Sequence, residues 1–137
     1  MAALTIVVAD INLQTGTHQT AVVTAGTTIT PMQTVYSDSA DSNEYKLCDA
    51  SATGTANCDG LAILGSTDGN PMLIIKKGPV DVGATLVLGA TYCVSPTAGG
   101  IEIKSGVLTG DYLTELGVAT GTTTLDLDIK NTQIVMP

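Results

Sequence analysis

At 137 residues the chain fits one domain, and its formal charge of -8, from 13 acidic residues against five lysines and no arginine, excludes a nucleic-acid footprint. Hydrophobic residues make up 44% of it, yet Phe and Trp are absent and Tyr36, Tyr45, Tyr92 and Tyr112 are the only aromatics. The core must then be tiled from aliphatic side chains worth about 1.5–3 kcal/mol each when buried, which association with copies or partners would supplement.

In chain order, the opening "MAALTIVVAD" has a short apolar run without a basic flank, and Asp10 closes it too early for a signal peptide. No stretch approaches the roughly 20 apolar residues that span a bilayer, so a soluble chain made in the cytosol is expected. Beyond it, Gly and Pro punctuate the sequence at short intervals, and runs rich in Val, Ile, Leu, Thr and Tyr lie between them. The pattern predicts strands over 4–8, 19–24, 34–37, 45–49, 61–64, 72–76, 85–88, 91–95, 100–104, 112–119, 125–130 and 133–136. Leu125, Leu127 and Ile129 alternate with Asp126, Asp128 and Lys130, the signature of a half-buried strand.

Turns can be named as well. "STDGNPM" at 66–72 supplies Asp68-Gly69 for a positive φ and Pro71 to open the next strand, and "TAGG" at 97–100 supplies two glycines between alternating runs. The polar stretch "SDSADSNE" at 37–44 predicts an exposed loop or a single helical turn. "GVLTG" at 106–110 returns as "GVATG" at 117–121, an echo that recurrent turn glycines explain. The expected fold class is all-β, a small sandwich or barrel of short antiparallel strands with extended terminal arms. Residues 1–24 would be an N-terminal arm or edge strands, 25–130 the β domain and 131–137 a C-terminal tail.

Chemistry finds little to hold. Cys48, Cys58, Cys93 and His18 lack any zinc-type spacing, and His18, as the one candidate base, sits among threonines in "GTHQT" and reads as a surface residue. Cys48 and Cys58 flank the small-residue loop "DASATGTAN" and could lie near one another, while Cys93 in an apolar strand reads as a small core residue. Free thiols are the expected state in a chain made in the cytosol. Asp38, Asp41 and Glu44 crowd one loop without the alternating ligands and glycine of a calcium loop. Paired carboxylates for glycoside hydrolysis would lack a Trp or Phe platform. No P-loop, nucleophile elbow or metalloprotease motif is present. An enzyme, a cofactor and a metal are therefore not expected.

"GATLVLGATYCVSPTAGGIEI" at 83–103, followed by "TGDYLTELGVATGTTTLDLDI" at 109–129, resembles the C-terminal half of the capsid decoration, or cement, proteins of tailed bacteriophages. "AGTTITPMQTVY" at 25–36 and "ILGSTDGNPMLIIKKGPVDVGATL" at 63–86 are similar to earlier segments of that family. The likeness runs from about residue 25 to residue 129; the ends, 1–24 and 131–137, depart from it. The resemblance implies a virion structural protein that binds the outer surface of an HK97-like shell and stiffens it. It also implies a major capsid protein as partner, and a homo-oligomer with a trimer favoured. Contacts with capsid or subunits are expected from the terminal apolar residues Leu4, Ile6, Val7, Val8, Ile134, Val135 and Met136. The alternative from another class is a carbohydrate-binding or adhesive β module of a fibre or cell surface, which would need exposed aromatic platforms.

Overall fold

A computed structural model describes residue 4, residues 11–13 and residues 18–137. These form an all-β molecule built on one curled antiparallel sheet. Its strands are β1 (Ile11–Leu13), β2 (Gln19–Thr24), β3 (Thr34–Asp38), β4 (Glu44–Leu47), β5 (Gly60–Ala62), β6 (Pro71–Val82), β7 (Thr91–Val94), β8 (Ile101–Ile103), β9 (Tyr112–Ala119) and β10 (Thr124–Val135). One helical turn, α1 (Thr53–Ala56), precedes β5. The polar loop forms a single 3-10 turn, Ser39–Asp41, as one of its two expected forms.

The sheet forks at β6. Along its first half β6 pairs with β2 on one side and with β5 on the other, Ile74 and Ile75 being opposite Ala62 and Leu61. Along its second half it pairs with β1 and β10, Val80 lying between Leu13 and Leu125. From β5 the sheet runs on to β3 and β4; from β10 it runs to β9, β7 and β8. The first branch curls back on itself. Ala25, just past β2, bridges Tyr45 in β4 in parallel, and the Gly26 N–H donates to the Tyr45 carbonyl at 2.7 Å.

Two cores result, one on each face of the shared wall of β5 and β6. Ala25, Ile29, Val35, Ala62, Met72 and Ile74 fill the smaller. Leu61, Ile75, Val80, Val82, Tyr92, Val94, Ile101, Leu116, Leu125 and Leu127 line the larger. Val, Ile and Leu alternating at period two place one residue in a core and the next against the other core or solvent.

Strand 72–76 of the sequence reading is longer in the structure, because β6 passes through "KKGPV" where Gly and Pro suggest a break. A register shift between Gln19 and Thr20 on β2 marks a bulge, and Gly78 adopts φ 121°, which a side chain would resist. Pro79 is tolerated because its carbonyl points away from β10, to the gap between β1 and β2, where the His18 ring nitrogen donates to it at 2.7 Å. Its missing N–H would point the same way, so no ladder bond is lost.

The expected strands 125–130 and 133–136 are one strand, β10, kept continuous by bulges between Leu127 and Lys130 and between Asn131 and Ile134. Residues 85–88 form no strand. The Ala90 N–H donates to the Val87 carbonyl at 3.0 Å and Gly89 has φ 82°, a tight turn held in place by the Tyr92 hydroxyl on the Val87 N–H at 2.9 Å. The hairpins at 66–72 and 97–100 turn as expected, with Gly69 and Gly99 at positive φ.

Candidate functional site

Of the terminal apolar residues, Ile6, Val7 and Val8 lie outside the described residues. Leu4 is packed on the larger core, and its N–H donates to the Ile101 carbonyl at 2.8 Å along the edge of β8. Ile134 and Val135 belong to β10, opposite Leu113 and Tyr112 of β9, and are 55% and 48% exposed. Met136 is instead tucked against Cys93, Val107 and Leu113. The end of the chain is tied down: Met136 N–H donates to Asp111 O at 2.8 Å, Gly110 N–H to Met136 O at 2.9 Å, and Thr109 Oγ1 to Pro137 O at 3.0 Å. Asn131 acts as a strand partner in side-chain form, accepting from Cys58 N–H at 2.9 Å and donating to Cys58 O at 3.1 Å. Residues 131–137 are thus sewn into the domain.

Four of the five lysines, Lys46, Lys76, Lys77 and Lys104, pair with carboxylates. Lys46 Nζ lies 3.0 Å from Asp38 and 2.9 Å from Asp41, so the acidic loop is closed by its own cation. The Lys46 hydrogen bond and the Ala40 N–H hold the Asp38 carboxyl below its ordinary range. A polar depression of about 320 Å³ between β6 and β10 is lined by Asp59, Lys76, Lys77, Asp128 and Asn131. Its ions pair internally, Lys76 with Asp59 at 3.4 Å and Lys77 with Asp128 at 4.0 Å. Tyr45 donates its hydroxyl to the same Asp59, and burial, then this carboxylate, push the phenol up to about 12. Among the described residues no group of three His, Cys, Asp or Glu side chains is placed to hold a metal ion.

Cys48, Cys58 and Cys93 are all free and buried. Cys48 and Cys58 share the larger core, and the Cys48 thiol contacts the Asn57 carbonyl, next to Cys58, at 3.8 Å. Burial, and then the neighbouring Cys58 thiol, push the Cys48 thiol far up; burial pushes Cys93 up to about 12. A thiol held protonated in an apolar core is a poor nucleophile. His18 is half-buried, and its ring donates to the Pro79 carbonyl at 2.7 Å.

No tyrosine is fully exposed. Tyr92 is buried and Tyr36, Tyr45 and Tyr112 are half-buried. What the surface does offer is large apolar side chains on rigid elements. Val22, opposite Leu73 on β6, and Leu64, just past β5 with its N–H 3.5 Å from the Leu73 carbonyl, are both exposed. Leu108 stands exposed near the end of β10 with Ile134 and Val135. Val87 and Leu88 project from the tight turn before β7, 60% and 65% exposed. Val87 and Leu88 lie outside the residues expected to make contacts, since "TLVL" scans as strand; two large apolar residues immediately before a turn glycine are their signature in the sequence. Compared with known protein families, with curated proteins and with solved structures, the chain matches none.

Proposed function

We propose that the protein is a virion structural protein that decorates the outer surface of a tailed-phage capsid and stabilises it, with the major capsid protein as partner. One observation carries the reading: large apolar side chains stand exposed on hydrogen-bonded strands and turns, among them Val22, Leu64, Val87, Leu88, Ile134 and Val135. Such a surface is suited to contact with other protein. Rigid contacts repeated over many copies hold a shell together even where each is modest. The likeness of 83–103 and 109–129 to decoration proteins supports the same reading, and those segments supply β7, β8 and β9 and the first half of β10.

In this reading the protein is made in the host cytoplasm, has no catalytic role, and acts on the virion as a homo-oligomer, with a trimer favoured. Binding of sugar is less favoured, since Tyr92 is buried and none of the other three tyrosines is fully exposed. The test is co-sedimentation of the purified protein with expanded phage heads lacking it. Saturable binding in a fixed ratio to the major capsid protein, with heads that withstand higher temperature, is the expected result. Heads that pellet without the protein would overturn the proposal, and a glycan array would then test the adhesive alternative.

A further inference from the structure

The segment 49–57, "DASATGTAN", carries no large apolar side chain, so burial alone holds it weakly to the body. Hydrogen bonds tie it down instead: Tyr112 N–H to Ala50 O at 2.7 Å, Ala50 N–H to Ser95 O at 3.1 Å and Thr114 Oγ1 to Ala56 O at 2.5 Å. Asp49 N–H donates to Thr55 O at 2.9 Å and Thr55 Oγ1 to Asp49 O at 2.8 Å, so the segment folds back on itself. That return brings together the two thiols that flank it. Cys48 and Cys58 are free and buried in the same core. The Cys48 thiol reaches the Asn57 carbonyl, one peptide bond from Cys58, at 3.8 Å, and the Cys58 thiol is its hydrogen-bonding neighbour. Cys58 also lines the depression of about 320 Å³ between β6 and β10, beside Lys76 and Lys77. Cys93 lies apart, in the cluster with Val107 and Leu113.

We propose that Cys48 and Cys58 form a latent disulfide site, in which hydrogen peroxide reaching Cys58 through the depression converts the pair into a covalent clasp across the neck of the 49–57 segment. The Cys58 sulfur takes one oxygen from the peroxide; the O–O bond breaks, a first water leaves and Cys58 becomes a sulfenic acid. The Cys48 sulfur then displaces that hydroxyl, the S–S bond forming as the S–O bond breaks, and the Cys48 proton departs with the hydroxyl as a second water. Two thiols are oxidised by two electrons and one peroxide is reduced to two waters. Burial holds Cys48 protonated, so the second step is slow, which fits a clasp set once better than a sensor that cycles. A reducing cytosol keeps both thiols free, and release of a particle from the cell removes that protection. This occasion for closure rests on the decoration reading, whereas the pair itself depends only on where the fold places the two sulfurs.

The experiment treats the purified full chain with hydrogen peroxide, then alkylates it in guanidinium for peptide mass mapping and follows a parallel sample by urea unfolding. Wild type should lose the mass of two hydrogens, with the peptides bearing Cys48 and Cys58 joined and Cys93 alone alkylated. Its urea midpoint should rise, because the clasp restricts the unfolded chain, and should fall back when dithiothreitol is added. Cys93→Ala should clasp like wild type, and in Cys48→Ser dimedone should trap a sulfenic acid at Cys58. Treated wild type in which Cys48 and Cys58 both alkylate, a link made through Cys93, or a clasped form with a lowered midpoint overturns the proposal. The wild-type map and midpoint decide the matter even where a cysteine variant fails to fold. No phage head enters this experiment, so its failure leaves the decoration reading standing, and failed co-sedimentation leaves the clasp standing.

Discussion

Ile74 and Ile75 are consecutive residues of β6, both 0% exposed, and they belong to different cores: Ile74 packs with Ala25, Ile29, Val35 and Met72, and Ile75 with Met32, Leu61 and Val80. A strand buried on both faces needs cover on both, and here the sheet supplies it by curling one branch away from the other. Ile74→Val and Ile75→Val should each cost about 0.5–1.5 kcal/mol. Because the two side chains share no packing partner across the sheet, the double variant should lose close to the sum. Urea unfolding of the three variants measures this, and a double variant well short of the sum would mean the cores are coupled.

Gly117 is the tightest point between β9 and its neighbours. It lies opposite both Leu127 and Tyr92, and a Cβ there would stand 2.0 Å from the Asp126 carbonyl oxygen. Backbone cannot yield as a flexible side chain can, so Gly117→Ala should destabilise by about 1–3 kcal/mol or more. Gly54, with nothing within 4 Å of its Cβ position, is the control. Gly54→Ala should be neutral or gain up to about 1 kcal/mol through a less flexible unfolded chain. Thermal unfolding of the two variants side by side checks the contrast.

Glu102 is 1% exposed, and its Oε2 has no hydrogen-bond partner among the described residues. Burial raises its pKa above the ordinary 4.5; the Ser95 hydroxyl on Oε1 at 3.3 Å opposes the rise, and Asp111 adds to it. A carboxyl whose folded-state pKa is raised binds its proton more tightly in the folded than in the unfolded chain. Its contribution to stability is greatest below pH 4.5 and is lost as pH rises through the folded-state value. Glu102→Gln should flatten that part of the Tm-against-pH profile and leave stability at pH 8 no lower than wild type. A profile unchanged by the substitution would show that Glu102 is not its source.

The thiols give a probe of the larger core. With Cys48, Cys58 and Cys93 buried and Cys48 and Cys93 held protonated by burial, the native protein should resist iodoacetamide at pH 8. Unfolding in guanidinium should expose three alkylation sites, read as three mass increments. Rapid labelling of Cys48 or Cys58 in the native state would show that the 49–57 loop opens under native conditions.

Local pattern alone was enough for much of this molecule. β2 and β9 run as the alternation predicts, 19–24 and 112–119, and the inward Leu125 and Leu127 against outward Asp126 and Asp128 are as the strand period requires. Turn chemistry is equally local: Gly69 and Gly99 sit at positive φ where Asp-Gly and Gly-Gly place them. The absence of Phe and Trp and the lack of catalytic spacing are properties of the sequence as written.

What only the tertiary structure decided is non-local. Gly78 and Pro79 read as a break, yet β6 continues because a bulge absorbs one residue and a gap between β1 and β2 spares the missing N–H. "TLVL" has strand character, but no neighbour offers 85–88 a ladder, and its backbone bonds go to Thr122 and the Tyr92 hydroxyl instead. The last seven residues look like an arm until β9 and Asn131 are seen to hold them. In each case the propensity is written in the chain, while the hydrogen-bond partner that accepts or refuses it lies tens of residues away.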